Sequence, residues 1–153
     1  MARSPKSRGA ASKDDDICPV RTIGLVAVSF LNYSVEESDF DKLVIARSHT
    51  VPVVLDIGAD WCSPCRVLTP LLDRLVEQYS GKFVLAKVDA DENMRIAGRH
   101  QVKGFPTVIA YSCGQEADRF HGAQTECFLR RFIDALIERH AARCDAAKHT
   151  HAG

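Results

Sequence analysis

The tetrapeptide Cys62-Ser-Pro-Cys65 constrains this chain more than any other feature, because of what flanks it. Before it runs Val51-Pro-Val-Val-Leu-Asp-Ile57, a continuous β-branched stretch that reads as a strand buried on both faces. After it, Val67, Leu68, Leu71, Leu72, Leu75, Val76 and Tyr79 recur at the helical period. The helix they predict should stop at Gly81, and Pro70 should kink it. Two cysteines three residues apart at a helix start can meet across the first turn. Unpaired N–H groups and the positive end of the helix dipole then favour thiolate at Cys62, the form that attacks a disulfide. Cys65, one turn further in, is expected to be the more buried thiol and to resolve a mixed disulfide. Pro64 suits an early helical position, where its missing N–H costs nothing.

The same spacing also serves as half of a zinc site, which needs a second CxxC or a paired-histidine motif. Neither is present. Cys113 and Cys127 have thirteen residues between them, and His149 and His151 lie in a polar tail. No metal is expected. Cys18, Cys113, Cys127 and Cys144 read as thiols placed by packing, with Cys113 exposed at a hairpin tip.

Further elements follow from the pattern. Val35 to Ala46 carries Phe40, Leu43 and Val44 at helical spacing, with Ser34 as a cap. Phe83 to Val88 is a second buried strand, and a short helix covers Met94 to His100. Phe105 to Tyr111 is a third strand, and Cys113-Gly-Gln turns the chain into a fourth. Phe128, Leu129, Phe132, Ile133, Leu136 and Ile137 mark a last amphipathic helix. Strand–helix–strand followed by a hairpin and a helix predicts an α/β fold, a central mixed sheet with helices on both faces. The expected organisation is an N-terminal extension over 1–31, disordered at least over 1–16, a domain over 32–142 and a polar, frayed tail over 143–153.

Twenty basic and twenty acidic residues balance. No cationic excess points to nucleic acid, and no acidic block points to a solvating tail. The apolar run Ile23 to Leu31 is too short to span a bilayer. Asp14, Asp15 and Asp16 stand where a signal peptide carries positive charge, and they interrupt a Ser-, Arg- and Lys-rich stretch over residues 1–13 that otherwise mimics a transit peptide, so the expected setting is cytoplasmic, with no membrane partner.

These residues together resemble the thioredoxin family, over about Val51 to Ile137. Trp61-Cys-Ser-Pro-Cys-Arg66 resembles its active-site motif, with Ser63 in place of the usual Gly. Asp56 matches the buried strand aspartate, Lys87 the lysine that faces it, and Pro70 the helix-kinking proline. Gly104-Phe-Pro106-Thr matches the segment that carries a cis proline opposite the cysteines. Gly114 and Gly122 match the later glycines. The resemblance implies a thioredoxin fold, with Cys62 as nucleophile and Cys65 as resolving thiol. It implies a proton relay through Asp56, whose pKa burial should raise, tuned by Lys87. Trp61, Phe105, Pro106 and Gly122 would bind substrate, an extended chain pairing with the backbone beside Cys62.

The implied activity is reduction of protein disulfides by a monomer that binds no cofactor. NADPH, through a thioredoxin reductase, would supply the electrons. The family also implies a nucleophile pKa of about 7 and a potential of about −270 mV. A disulfide oxidant or isomerase, and a thioredoxin-fold binding or chaperone-like module, are the competing readings. Two further positions depart from the family. Gly58 replaces a Trp that packs beneath the active site, which should loosen packing there. His121 stands at a usually apolar, groove-lining position, either biasing substrate choice or simply solvated.

Overall fold

The computed structural model describes residues 31–151. Of the expected N-terminal extension, all but Leu31 lies outside the described residues.

Five strands form one mixed sheet in the order β1-β3-β2-β4-β5. They are β1 (Asn32–Ser34), β2 (Val53–Gly58), β3 (Val84–Asp89), β4 (Thr107–Ser112) and β5 (Gln115–His121). β1, β3 and β2 run parallel, whereas β4 is antiparallel to β2 and β5 to β4. The helical segments begin with α1, wound with π-type spacing over Asp41–Ala46 and followed by a 3₁₀ turn over Arg47–His49. α2 (Ser63–Gln78), α3 (Met94–Arg99) and α4 (Glu126–His151) complete the order. Among the described residues, no helix is long and apolar enough to cross a membrane.

Side-chain alternation along β2 sorts the helices onto two faces. Asp56 accepts a hydrogen bond from Thr69 of α2, so its face of the sheet is the α2 face. α4 shares that face, since the Tyr79 hydroxyl donates to Asp134 at 2.9 Å. Val53, of opposite parity to Asp56, is in register with Tyr111, whose ring meets Phe40 beside α1 at 6.2 Å. Phe40 also packs on His100 at the end of α3. α1 and α3 therefore cover the other face. The core lies in both layers, with Val54, Leu68, Leu72, Leu129 and Ile133 on the α2 side and Leu55, Ile57, Phe40 and Val44 on the other, all buried. The predicted α/β architecture with helices on both faces is the one observed.

Three local expectations need correction. Ser34 caps nothing; it ends β1, a short edge strand paired to β3, and winding starts at Phe40. Backbone pairing with Lys87 holds residues 32–34 extended, which the helical spacing of Phe40 and Val44 does not reveal. α2 ends at Gln78, before Gly81, whose φ of 85° takes the turn after the helix. Residues 144–151 are not frayed: α4 continues to His151, and Cys144 is joined to Cys113 by a disulfide.

Candidate active site

The site forms where β2 runs into α2. Cys62 is the N-cap of α2, in extended backbone, and its sulfur accepts the Cys65 N–H at 3.3 Å. Pro64 occupies the first turn. A sulfur in that position receives one of the orphan N–H groups of the helix start and its positive dipole end, and both stabilise a thiolate. Cys62 and Cys65 are disulfide-bonded, with Cα atoms 5.3 Å apart, an ordinary separation for a disulfide. The expected difference in burial is absent: Cys62 is 4% exposed and Cys65 6%. Phe105 packs against the small buried cluster that Cys62 and Cys65 form with Ala59.

Antiparallel pairing supplies the opposite wall. Ile57 is in register with Thr107, so Phe105-Pro106 arrives beside the end of β2. The Phe105–Pro106 bond is cis. Trp61 is 64% exposed and so is not packed in the core. Its indole N–H donates to Asp91 at 2.8 Å, and its ring meets Phe105 edge to face at 5.8 Å. A shallow groove of about 470 Å³ is lined by Trp61-Cys-Ser-Pro64 on one side and Lys103-Gly-Phe105 on the other. Gly122 follows the end of β5. Its N–H donates to the Pro106 carbonyl at 2.9 Å, so it braces the proline, and it is itself half-buried with open space beside its Cα. His121 is exposed, and its Nδ1 lies 3.0 Å from the Thr107 hydroxyl. Lys103 and Asp91 were not anticipated. Lys103 is a lone charge in a loop and Asp91 one of three acidic residues at a turn, which local patterning does not distinguish from solvated ones.

Behind the cysteines lies Asp56, 4% exposed, in the middle of apolar β2. One carboxylate oxygen accepts the Thr69 hydroxyl at 2.8 Å; the other is buried with no hydrogen-bond partner. Burial pushes its pKa up from 3.8 to about 6, against the Thr69 hydrogen bond and the Lys87 charge, which pull it down; Asp73 adds to the rise. Lys87 is in register with Asp56, as the resemblance implied, but its ammonium binds Asp73 at 2.7 Å. It therefore acts on Asp56 only through space. Thr69 and Asp73 are the residues that sequence reasoning missed. Their signal was available: they stand one turn apart on the α2 face that crosses Asp56 and Lys87. An open cleft of about 770 Å³ is lined by both Asp56 and Cys65, with Thr69, Lys87 and Glu92 among the others.

Gly58 also lines that cleft, and its missing side chain has a specific consequence. A Cβ built there would lie 2.9 Å from the Cys65 sulfur. In the oxidised protein that sulfur is pinned to Cys62; in the reduced protein it is free to rotate. Gly58→Ala is expected to destabilise the oxidised form by about 1–3 kcal/mol, the usual cost of overpacking, and the reduced form by less. Urea unfolding of both forms checks this; equal losses would place the strain elsewhere.

Cys113, expected as an exposed thiol, is half-buried and bonded to Cys144 at the far end of the sheet. The contact joins a hairpin tip to the last helix across 31 positions, which no local pattern announces. Cys127 is likewise disulfide-bonded and not a free thiol.

Comparison with known proteins agrees with this geometry. Residues 32–135 match the thioredoxin family model. A mitochondrial thioredoxin of Mus musculus is 38% identical over 120 residues, covering 78% of this chain and 71% of that protein. Thioredoxin 1 of Nostoc sp. is 34% identical over 100 residues, covering 65% of this chain and 92% of its own length. Among solved structures, a point-mutant thioredoxin from Halobacterium salinarum NRC-1 superposes with a TM-score of 0.63 at 28% identity. The match covers 74% of this chain and 96% of the other.

Proposed function

This chain belongs to the thioredoxin family, and from that premise we propose that it works as a monomeric, cytosolic reductant of protein disulfides, recharged by NADPH through a thioredoxin reductase. Its activity is thiol–disulfide oxidoreduction through the Cys62–Cys65 pair. Members of this family typically need no bound cofactor, because the electrons travel in the dithiol itself.

The observation that carries the reading is Cys62 at the N-cap of α2, its sulfur facing the Cys65 N–H and opening onto the Trp61–Phe105 groove. In the reduced protein the Cys62 thiolate attacks one sulfur of a substrate disulfide. The substrate S–S bond breaks, and a mixed disulfide forms. Cys65 gives up its proton and attacks the Cys62 sulfur; the second substrate sulfur leaves as a thiolate and is protonated. Two electrons have moved from the dithiol to the substrate, and Cys62–Cys65 is oxidised. Asp56, with its raised pKa and access to the cleft, suits the group that takes the Cys65 proton through water. The groove beside Phe105 suits an extended peptide.

Insulin reduction with NADPH and a thioredoxin reductase tests the direction. Turnover is expected, and Cys62→Ser should abolish it. A potential below the cytosolic glutathione poise of about −220 to −260 mV supports a reductant. A value close to about −120 mV, with no insulin turnover, would make the protein an oxidant instead.

A further inference from the structure

The hairpin between β4 and β5 docks on the 3₁₀ turn that follows α1. The Cys113 N–H donates to the Ser48 carbonyl at 2.7 Å, and the Gly114 N–H to the Ser48 hydroxyl at 2.8 Å. The Cys113 backbone is held at a φ of 53°, which aims its side chain toward α4. There Cys144 follows His140 by one helical turn. Both ring nitrogens of His140 lie near the Cys144 sulfur, Nδ1 at 3.8 Å and Nε2 at 3.7 Å. The Ser112 hydroxyl lies 2.9 Å from His140 Nδ1. Among the described residues, Cys113, His140 and Cys144 are the one group with metal-ligand geometry, their donor atoms all within 4.8 Å of one another.

We propose that Cys113, His140 and Cys144 form a zinc site that exists only while the Cys113–Cys144 disulfide is reduced. The donor set is two thiolates and an imidazole, soft and borderline ligands of the kind zinc takes, and His140 with Cys144 has the i, i+4 spacing that puts two ligands on one helix face. Ser112 holds Nδ1 and fixes the ring, leaving Nε2 for the metal, as an outer hydrogen bond does in zinc sites. Three protein ligands leave the fourth tetrahedral position to water.

The chemistry balances in both directions. A dithiol such as the reduced Cys62–Cys65 pair of a second copy delivers two electrons and two protons to the Cys113–Cys144 bond and becomes a disulfide itself. Zn²⁺ then displaces the two thiol protons and binds both sulfurs. A disulfide oxidant that takes the two thiolate electrons restores the S–S bond and releases the ion. The reduction is intermolecular: β4 separates Cys113 from the Cys62 end of the sheet by six residues, about 20 Å. The last helix is thus tied to the hairpin by a disulfide in one redox state and by zinc in the other.

The test uses full-length Cys62→Ser/Cys65→Ser protein, which has no exchange activity and no competing dithiol at the active site. Its failure is therefore separate from any failure of the reductase reading. The probe is Co²⁺, titrated anaerobically into protein reduced with a phosphine and desalted, with thiolate-to-cobalt absorption as the readout. One Co²⁺ per chain is expected in the reduced protein and none in the oxidised protein. Added Cys144→Ser should remove the bands, and His140→Ala should weaken binding at least about tenfold. Far-UV circular dichroism checks that each variant is folded. Zn²⁺ should raise the melting temperature of the reduced form alone. Absence of thiolate–cobalt bands in the reduced protein, or bands that survive Cys113→Ser/Cys144→Ser, would overturn the site.

Discussion

Cys65→Ser is expected to turn the protein from a turnover enzyme into a trap. The variant keeps the N-cap geometry at Cys62 and the Trp61–Phe105 groove, so the first attack on a substrate disulfide proceeds. The second does not. The Cys65 Cα is 5.3 Å from that of Cys62, and the other cysteines of the described chain offer no thiol in its place: Cys113 and Cys144 are bonded to each other at the opposite end of the sheet, and Cys127 is in a disulfide too. The mixed disulfide on Cys62 should therefore accumulate, and insulin reduction should fall to background. Cys62→Ser should also be inactive but should capture nothing, because the remaining thiol lines the cleft beside Asp56 and not the Trp61–Phe105 groove. Non-reducing electrophoresis of affinity-purified variants reads the difference. Equal yields of disulfide-linked proteins from the two variants would mean that the order of attack is wrong.

What the sequence discloses about this fold is what is carried by runs long enough to show a period. β2, β3 and the first two turns of α2 are continuous or strongly amphipathic, and each lies within a few residues of its expected place. Asp56 is conspicuous as the lone charge in an apolar run, and that oddity leads to its buried carboxylate. β1 is three residues long, too short for alternation to register, and only its pairing with Asn32↔Leu85 through Ser34↔Lys87 makes it a strand. Contacts set by topology are equally hidden. Thr69 and Asp73 matter because α2 crosses β2 and β3 at that point. Cys113, His140 and Cys144 meet because the β4–β5 turn falls under α4. A search for zinc by local spacing passes over them: His140 and Cys144 form a half-site one helical turn apart, and the third ligand is 31 positions away from Cys144.

Asp56→Asn is expected to make the protein more stable near neutral pH while slowing the second step of catalysis. The folded state raises the Asp56 pKa from 3.8 to about 6 because burial removes its water, and neither the Thr69 hydrogen bond nor the more distant Lys87 charge restores what is lost. A carboxyl with a raised folded pKa binds its proton more tightly in the folded state. Its favourable contribution is complete below pH 3.8, declines as pH rises between 3.8 and about 6, and is gone above that. By linkage, the ionised group costs about 3 kcal/mol near pH 7, taking about 1.4 kcal/mol for each unit. Asn keeps an acceptor for Thr69 and carries no charge, so it removes that cost and adds only the burial of an amide, about 1–2 kcal/mol. The net expectation is a gain of about 1–2 kcal/mol near pH 7. Near pH 4, where the wild-type carboxyl is largely protonated, the gain should vanish. Most substitutions of buried residues destabilise, so a gain confined to neutral pH has few other causes. Without a carboxylate to take the Cys65 proton, mixed disulfides should resolve more slowly, and the rate should lose its dependence on a group titrating near pH 6. Urea unfolding at both pH values, with stopped-flow resolution of a mixed disulfide, measures the two effects together. A variant less stable at both pH values and unchanged in resolution would leave Asp56 a structural residue. In that case the 770 Å³ cleft beside it is no proton path.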